Sequence, residues 1–197
     1  MTIALPKQRM KVPEFLAWAE AQPQGRYELV NGEVVVMAPE RVRHNLVKAA
    51  VFRALDNAIR AARLPCTVFT DGVGIIINEN TVREPDASVQ CGGELDLDSM
   101  TLDAPLIVVE VASPSSERQD THAKLVEYFS VQSIRHYLVV LPEQGVVVHY
   151  RRNDGGAIDT SIGREGAIDL TPPGMTVPIA DLLGPSSAGD ASSNERG

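Results

Sequence analysis

The residues best suited to chemistry in this sequence are carboxylates set in apolar surroundings. Glu110 lies inside Leu106–Val111 (LIVVEV), a run that is otherwise wholly apolar. An ionised carboxylate buried alone is very costly, so Glu110 needs a partner, a metal or a proton. One reading puts it where the strand emerges, or beside an arginine. The other makes it a wall of the ligand crevice that forms where buried strands end in α/β sheets. Asp86 stands in Arg83-Glu84-Pro85-Asp86-Ala87-Ser88-Val89. Pro85 lacks a backbone donor and favours a strand start or edge. Asp86 is then either a turn aspartate after proline or the residue that leads into a short apolar strand. Two carboxylates brought to neighbouring strand ends repel unless a cation sits between them. Oxygen ligation suits Mg2+ or Mn2+ better than Zn2+, and such an ion can polarise a phosphate and activate water.

Lys124 is the third element. On a helix over 116–130, His122, Leu125, Val126 and Phe129 make an apolar stripe, and Glu117, Asp120, Lys124 and Tyr128 fall opposite. Lys124 is then either one half of a solvated Asp120–Lys124 pair or an ammonium reaching back to steady a phosphate or an attacking water. His44 shares a face with Val47 and Val51 and is either a packing histidine or a cleft residue that contacts phosphate or shuttles a proton.

Positioning these groups requires a recognisable order of elements. Residues 12–21 read as a short helix with Pro13 in its first turn. Arg26–Val30 and Glu33–Met37 flank Asn31-Gly32, a strong hairpin signal. Residues 40–64 carry helical periodicity through Val47, Val51, Ala54, Leu55, Ala58, Ile59 and Ala62. Thr67–Thr70 and Val73–Ile77 read as strands around Asp71-Gly72, and Arg83–Val89 as another. Leu106–Val111 has the pattern of a central strand covered on both faces. Ser115 or Ser116 is placed to cap the next helix. His136–Leu141 and Val146–Tyr150 read as strands, with weaker strands and a closing segment over 157–183. One α/β domain over 1–183 is expected, with 184–197 a disordered tail.

Bulk properties narrow the classes. No stretch is apolar enough for a transmembrane helix, and no signal-peptide pattern opens the chain. Cys66 and Cys91 make no zinc site and are expected as reduced thiols in a cytoplasmic protein. No P-loop, G-x-G-x-x-G or G-x-S-x-G pattern occurs, so no nucleotide cofactor and no serine hydrolase is expected. The net charge of −8 opposes non-specific nucleic-acid binding unless a basic face is local. Arg41, Arg43, Lys48, Arg53, Arg60 and Arg63 lie along one helix and could form one.

Taken together, Asp86 in Pro-Asp, Glu110 in Val-Val-Glu-Val-Ala-Ser-Pro-Ser, and Asp120, Lys124 and Tyr128 resemble the Uma-two (Uma2) family of restriction endonucleases, in the PD-(D/E)xK nuclease-like superfamily. Tyr27–Gly32, His44 and Arg135–Val140 share in the resemblance. It implies an α+β fold, a restriction-endonuclease-like mixed sheet flanked by helices with an N-terminal hairpin. It implies Mg2+- or Mn2+-dependent hydrolysis of phosphodiester bonds in DNA, with Asp86 and Glu110 as metal ligands, the Val111 carbonyl completing their shell, and Lys124 catalytic. Glu28, otherwise an exposed strand residue, would be an accessory acid, with His44, Asp120 and Tyr128 accessory or substrate-contacting. The superfamily lysine two residues after the glutamate is here Ala112, its place passing to Lys124. The alternative is a non-cleaving nuclease-like fold that binds nucleic acid or protein, as a homodimer.

Overall fold

The computed structural model describes residues 5–6, 8–22, 24–112 and 120–185, with the backbone alone at 120 and 121. The expected cap at Ser115 or Ser116 and the tail beyond Pro185 lie outside the described residues. Helix α1 (Val12–Glu20) carries Pro13 in its first turn, and the Glu14 carboxylate accepts from the Lys11 N–H at 2.9 Å. Strands β1 (Tyr27–Val30) and β2 (Glu33–Val36) form the expected hairpin. Its turn needs two successive positive φ angles, which Asn31 and Gly32 supply at 51° and 83°. Helix α2 (Val42–Ala62) buries Val47, Val51, Ala54, Leu55 and Ile59 and stops at Arg63 in a left-handed conformation.

Two sheets follow. Strands β3 (Cys66–Thr70), β6 (Ala87–Cys91), β8 (Pro105–Val111), β9 (His136–Leu141), β10 (Val146–Arg152) and β11 (Ile158–Gly163) form a six-stranded sheet in the order β11-β10-β9-β8-β6-β3. Its β8–β9 pair is parallel, with helix α3 (Asp120–Ser130) in the connection. Strands β4 (Gly74–Asn78), β5 (Thr81–Arg83) and β7 (Thr101–Leu102) join the hairpin in a five-stranded sheet, β2-β1-β5-β4-β7. The strands on either side of Asp71-Gly72 therefore belong to different sheets. The run expected over Arg83–Val89 is likewise two strands, divided by Glu84-Pro85-Asp86.

The core is layered on the larger sheet. Val109, Val111, Leu138 and Val140 pack with α2, with strands β12 (Ala167–Leu170) and β13 (Met175–Pro178), and with helix α4 (Ile179–Leu183). Val108, Tyr137 and Val139 pack on the other face with Tyr128 and Ile134. The α3 stripe holds in part, with Leu125 and Phe129 packed into the core as expected. Val126 is 72% exposed and His122 is exposed, whereas Tyr128 is fully buried. The face carrying Lys124 and Tyr128 turns toward the sheet because Glu110 on β8 offers both a buried acceptor. The thiol expectation also changes. Register sets Cys66 opposite Cys91 on β3 and β6, with Cα atoms 3.9 Å apart, and the two are joined as a disulfide. No helix among the described residues is long and apolar enough to cross a membrane.

Candidate active site

Strand pairing brings the two acids together. Ala87 on β6 faces Val109 on β8 in an antiparallel register, so one further step sets Asp86 beside Glu110. Pro85 delays the start of β6, which leaves the Asp86 side chain at the strand mouth and not within the ladder. The Val111 N–H donates to Asp86 Oδ2 at 2.7 Å. The resemblance implied a part for the Val111 carbonyl; its amide is the group seen holding the acid. His44 Nε2 and Lys48 Nζ each lie 3.3 Å from Asp86 Oδ1. Burial disfavours the Asp86 charge, yet the His44 hydrogen bond, the Val111 N–H and Lys48 outweigh it and hold the carboxyl below its usual range. His44 is raised in turn, chiefly by its hydrogen bond to Asp86.

Glu110 faces the other helix. Its Oε1 accepts from Lys124 Nζ at 3.0 Å and from the Tyr128 hydroxyl at 2.6 Å. Those donors are one turn apart on α3, so one face of the helix delivers both. Burial is the largest influence on Glu110 and pushes it up to about 7, with the Asp86 charge adding to the rise and Lys124 and Tyr128 opposing it. Burial and the Glu110 charge raise the Tyr128 hydroxyl well above its usual value.

Glu28 is buried, not exposed on its strand. Arg83 donates to it at 2.9 Å and the Glu84 N–H at 3.0 Å, while the Arg83 Nε reaches Glu127 at 2.6 Å. Glu28, Glu40, His44, Asp86, Glu110 and Lys124 line one cavity of about 320 Å³. The geometry thus unites Asp86, Glu110, Lys124, His44 and Glu28, with Tyr128 behind Glu110. The side chain of Asp120 lies outside the described residues.

Sequence reasoning missed a second cluster. Lys48 Nζ lies 2.5 Å from both Glu40 and Asp71. Arg26 pairs with Glu40 at 3.2 Å, with Asp71, and with Glu84 at 2.5 Å. Lys48 was readable only as one of a basic row on α2, but its spacing of one turn from His44 is the signal that it shares that residue's face. Arg41 and Arg43 do lie toward the site. They line an adjoining cleft of about 330 Å³ with His44, Val111 and Ala112, and Arg43 is 3.7 Å from Glu143. Arg53, Arg60 and Arg63 are exposed farther along the helix.

The donor set fits a hard divalent cation. Glu40, Asp71, Glu84 and Asp86 place four carboxylates against the two cations Arg26 and Lys48. A proton on His44 would still leave an excess of negative charge. Glu28, Glu40, Asp86 and Glu110 bring carboxylate oxygens to a cavity wall that is otherwise largely apolar, and carboxylate oxygen is the ligand type that Mg2+ and Mn2+ prefer. Glu40, His44 and Asp86 also offer ligand atoms within 4.8 Å of one another.

Comparison with known proteins identifies the fold and the family. A solved structure described as a putative nuclease belonging to DUF820, from Anabaena variabilis, superposes with a TM-score of 0.67 over 88% of this chain and 97% of its own, at 16% identity. That likeness shows the fold. An uncharacterized protein of Synechocystis sp. is 26% identical over 152 residues, covering 77% of this chain and 78% of that one. The profile of the Uma2 family, described as "Putative restriction endonuclease", matches residues 12–180, and the chain belongs to that family.

Proposed function

We propose that the protein is a divalent-metal-dependent endonuclease that hydrolyses phosphodiester bonds in DNA, with Mg2+ or Mn2+ held by Asp86 and Glu110. The observation that carries this reading is the convergence of Asp86, Glu110 and Lys124 on one cavity from the β5–β6 link, β8 and α3. An ion bound there would polarise the scissile phosphate and lower the pKa of a bound water. Lys124 supplies the ammonium that the superfamily places at the position of Ala112. Held 3.0 Å from Glu110, it can stabilise negative charge that develops on the phosphate. His44 faces the same cavity, and its hydrogen bond to Asp86 favours its protonated form, which can contact phosphate. Arg41 and Arg43 at the adjoining cleft give a polyanion a local cationic approach despite the overall charge.

The test is plasmid nicking in Mg2+ or Mn2+ with wild type, Asp86→Asn, Glu110→Gln and Lys124→Met. Nicking by wild type alone is expected, with loss on the order of 100-fold or more in Lys124→Met. Equal activity in every protein would end the proposal. A second reading, a nuclease-like fold that binds without cutting, draws on Ala112 and on the net charge of −8. DNA binding without cleavage by wild type would favour it.

A further inference from the structure

We infer that Lys48 serves as the second cation of this centre: its ammonium takes the place a second divalent ion would need, so the cleft binds one metal ion and not two. The inference rests on the metal-nuclease reading above. Glu40, His44 and Asp86 are, among the described residues, the group of at least three side chains whose ligand atoms approach within 4.8 Å. Left free, that set would suit an ion. Two of its three members are already engaged by one ammonium. Lys48 Nζ lies 2.5 Å from Glu40 Oε1 and 3.3 Å from Asp86 Oδ1, with a third contact at 2.5 Å to Asp71 Oδ2. The Lys48 side chain is 6% exposed.

Asp86 is divided between two tasks. Oδ1 faces His44 and Lys48, while Oδ2 accepts from Val111, at the β8 end where Glu110 stands. In two-metal hydrolases the ions sit roughly 3.5–4 Å apart. A second ion on the Glu40 side would lie against the Lys48 ammonium, and like charges at such separations repel strongly where water is scarce. The ammonium cannot withdraw cheaply. It is rooted on α2 one turn after His44, and its departure would leave Glu40 and Asp71 sharing Arg26 alone. Lys48 therefore acts as a positioning residue. It holds Asp86 and Glu40 by direct contact and apart from a competing ion, and it leaves the Asp86–Glu110 side for the metal.

The test is metal stoichiometry, read by calorimetric titration with Mn2+ and by the electron paramagnetic resonance spectrum of the loaded protein. Wild type should bind one Mn2+ and give the hyperfine pattern of isolated ions. Lys48→Met should bind two and show exchange coupling, and Lys48→Arg, which keeps the charge, should return to one. If Lys48→Met does not fold, the same variant with Asp71→Asn removes the stranded charge and is read in the same way. Two coupled ions in wild type would overturn the inference while leaving the metal reading intact. One ion in the folded Lys48→Met protein would overturn it too, because something other than the ammonium would then exclude the second. Wild type that binds no Mn2+ at all would overturn the metal reading, and this inference with it. Loss of the first ion in Asp86→Asn ties the counted ion to this centre, and its persistence there would place the ion elsewhere and overturn both.

Discussion

A carboxylate at the end of an apolar strand stays charged near neutrality when neighbouring donors keep it so. For Glu110 the balance is close. Burial raises it to about 7 while Lys124 and Tyr128 pull it back. A metal ligand must be deprotonated, so ion binding and proton release are coupled. Mn2+ affinity should therefore strengthen as pH rises through about 7 and level off above it. Tyr128→Phe removes a donor that favours the ionised form, so the midpoint of that rise should move to higher pH. Titrations at a series of pH values measure it, and an unmoved or lowered midpoint would refute the role given to the hydroxyl. Arg83 makes a different residue-scale argument. It stands buried between Glu28 and Glu127, and removing one partner of a buried ion pair strands the rest. Arg83→Leu should cost about 3–5 kcal/mol in urea unfolding. A loss under about 1 kcal/mol would mean that water reaches those carboxylates, since exposed pairs contribute no more than that.

Elements differ in how far local sequence specifies them. The hairpin was legible because Asn31-Gly32 states its own turn, and β8 because a nearly unbroken apolar run fits a central strand. The partition into two sheets was not. β3 and β4 look alike locally, but β3 pairs with β6 and β4 with β5 and β7, and such choices depend on residues distant in the chain. Asp86 and Glu110 were legible as anomalies within apolar text. Lys48 was not, because a lysine among arginines on a helix reads as solvated until its carboxylate partners are placed. The face of α3 was only half legible for a related reason: Tyr128 and Lys124 count as polar in a periodicity, yet they join Leu125 and Phe129 on the side that packs inward. The β3–β6 pair also carries a prediction. Its Cys66–Cys91 bond closes a separation of 25 residues, for which chain-entropy arguments give about 3 kcal/mol. Because β6 begins immediately after Asp86, reduction should loosen the strand that presents it. Chemical unfolding with and without dithiothreitol measures the effect, with Cys66→Ala/Cys91→Ala as the control. A reductant-induced loss that persists in the double variant would show that the bond is not its source.

For the whole molecule, a histidine pair outside the acidic cavity should weaken the fold against acid. His136 Nε2 lies 2.7 Å from the Pro172 carbonyl, and His136 Nδ1 lies 2.9 Å from His149 Nε2. A carbonyl accepts, so His136 carries its proton on Nε2 and accepts at Nδ1, and His149 donates from Nε2. Two neutral rings satisfy this chain; a proton added to His136 Nδ1 would set two donors against each other. The contact fastens the segment joining β12 and β13 to the large sheet. Burial is the main reason both rings titrate at about 4, with His149 and the arginines 151 and 135 adding for His136, and Arg151 adding for His149 while Asp169 opposes. The unfolded chain titrates them near 6.5. Between those values the unfolded state binds more protons, so stability falls as pH drops from about 6.5 to 4. Glu110 works in the opposite direction. Its folded value near 7 lies above its ordinary 4.5, so the folded state binds the extra proton and gains stability as pH drops through that range. Burial raises Glu84 in the same sense, so the buried carboxylates oppose the two rings, and the histidine contribution is read from the difference between wild type and a variant that lacks one ring. His149→Gln keeps a donor for His136 Nδ1 while removing one titrating ring. From about pH 6.5 to 4 the urea midpoint of wild type should fall relative to that of the variant, the difference between the two slopes being that of one titrating ring. Equal slopes in the two proteins would show that the pair does not control the acid response.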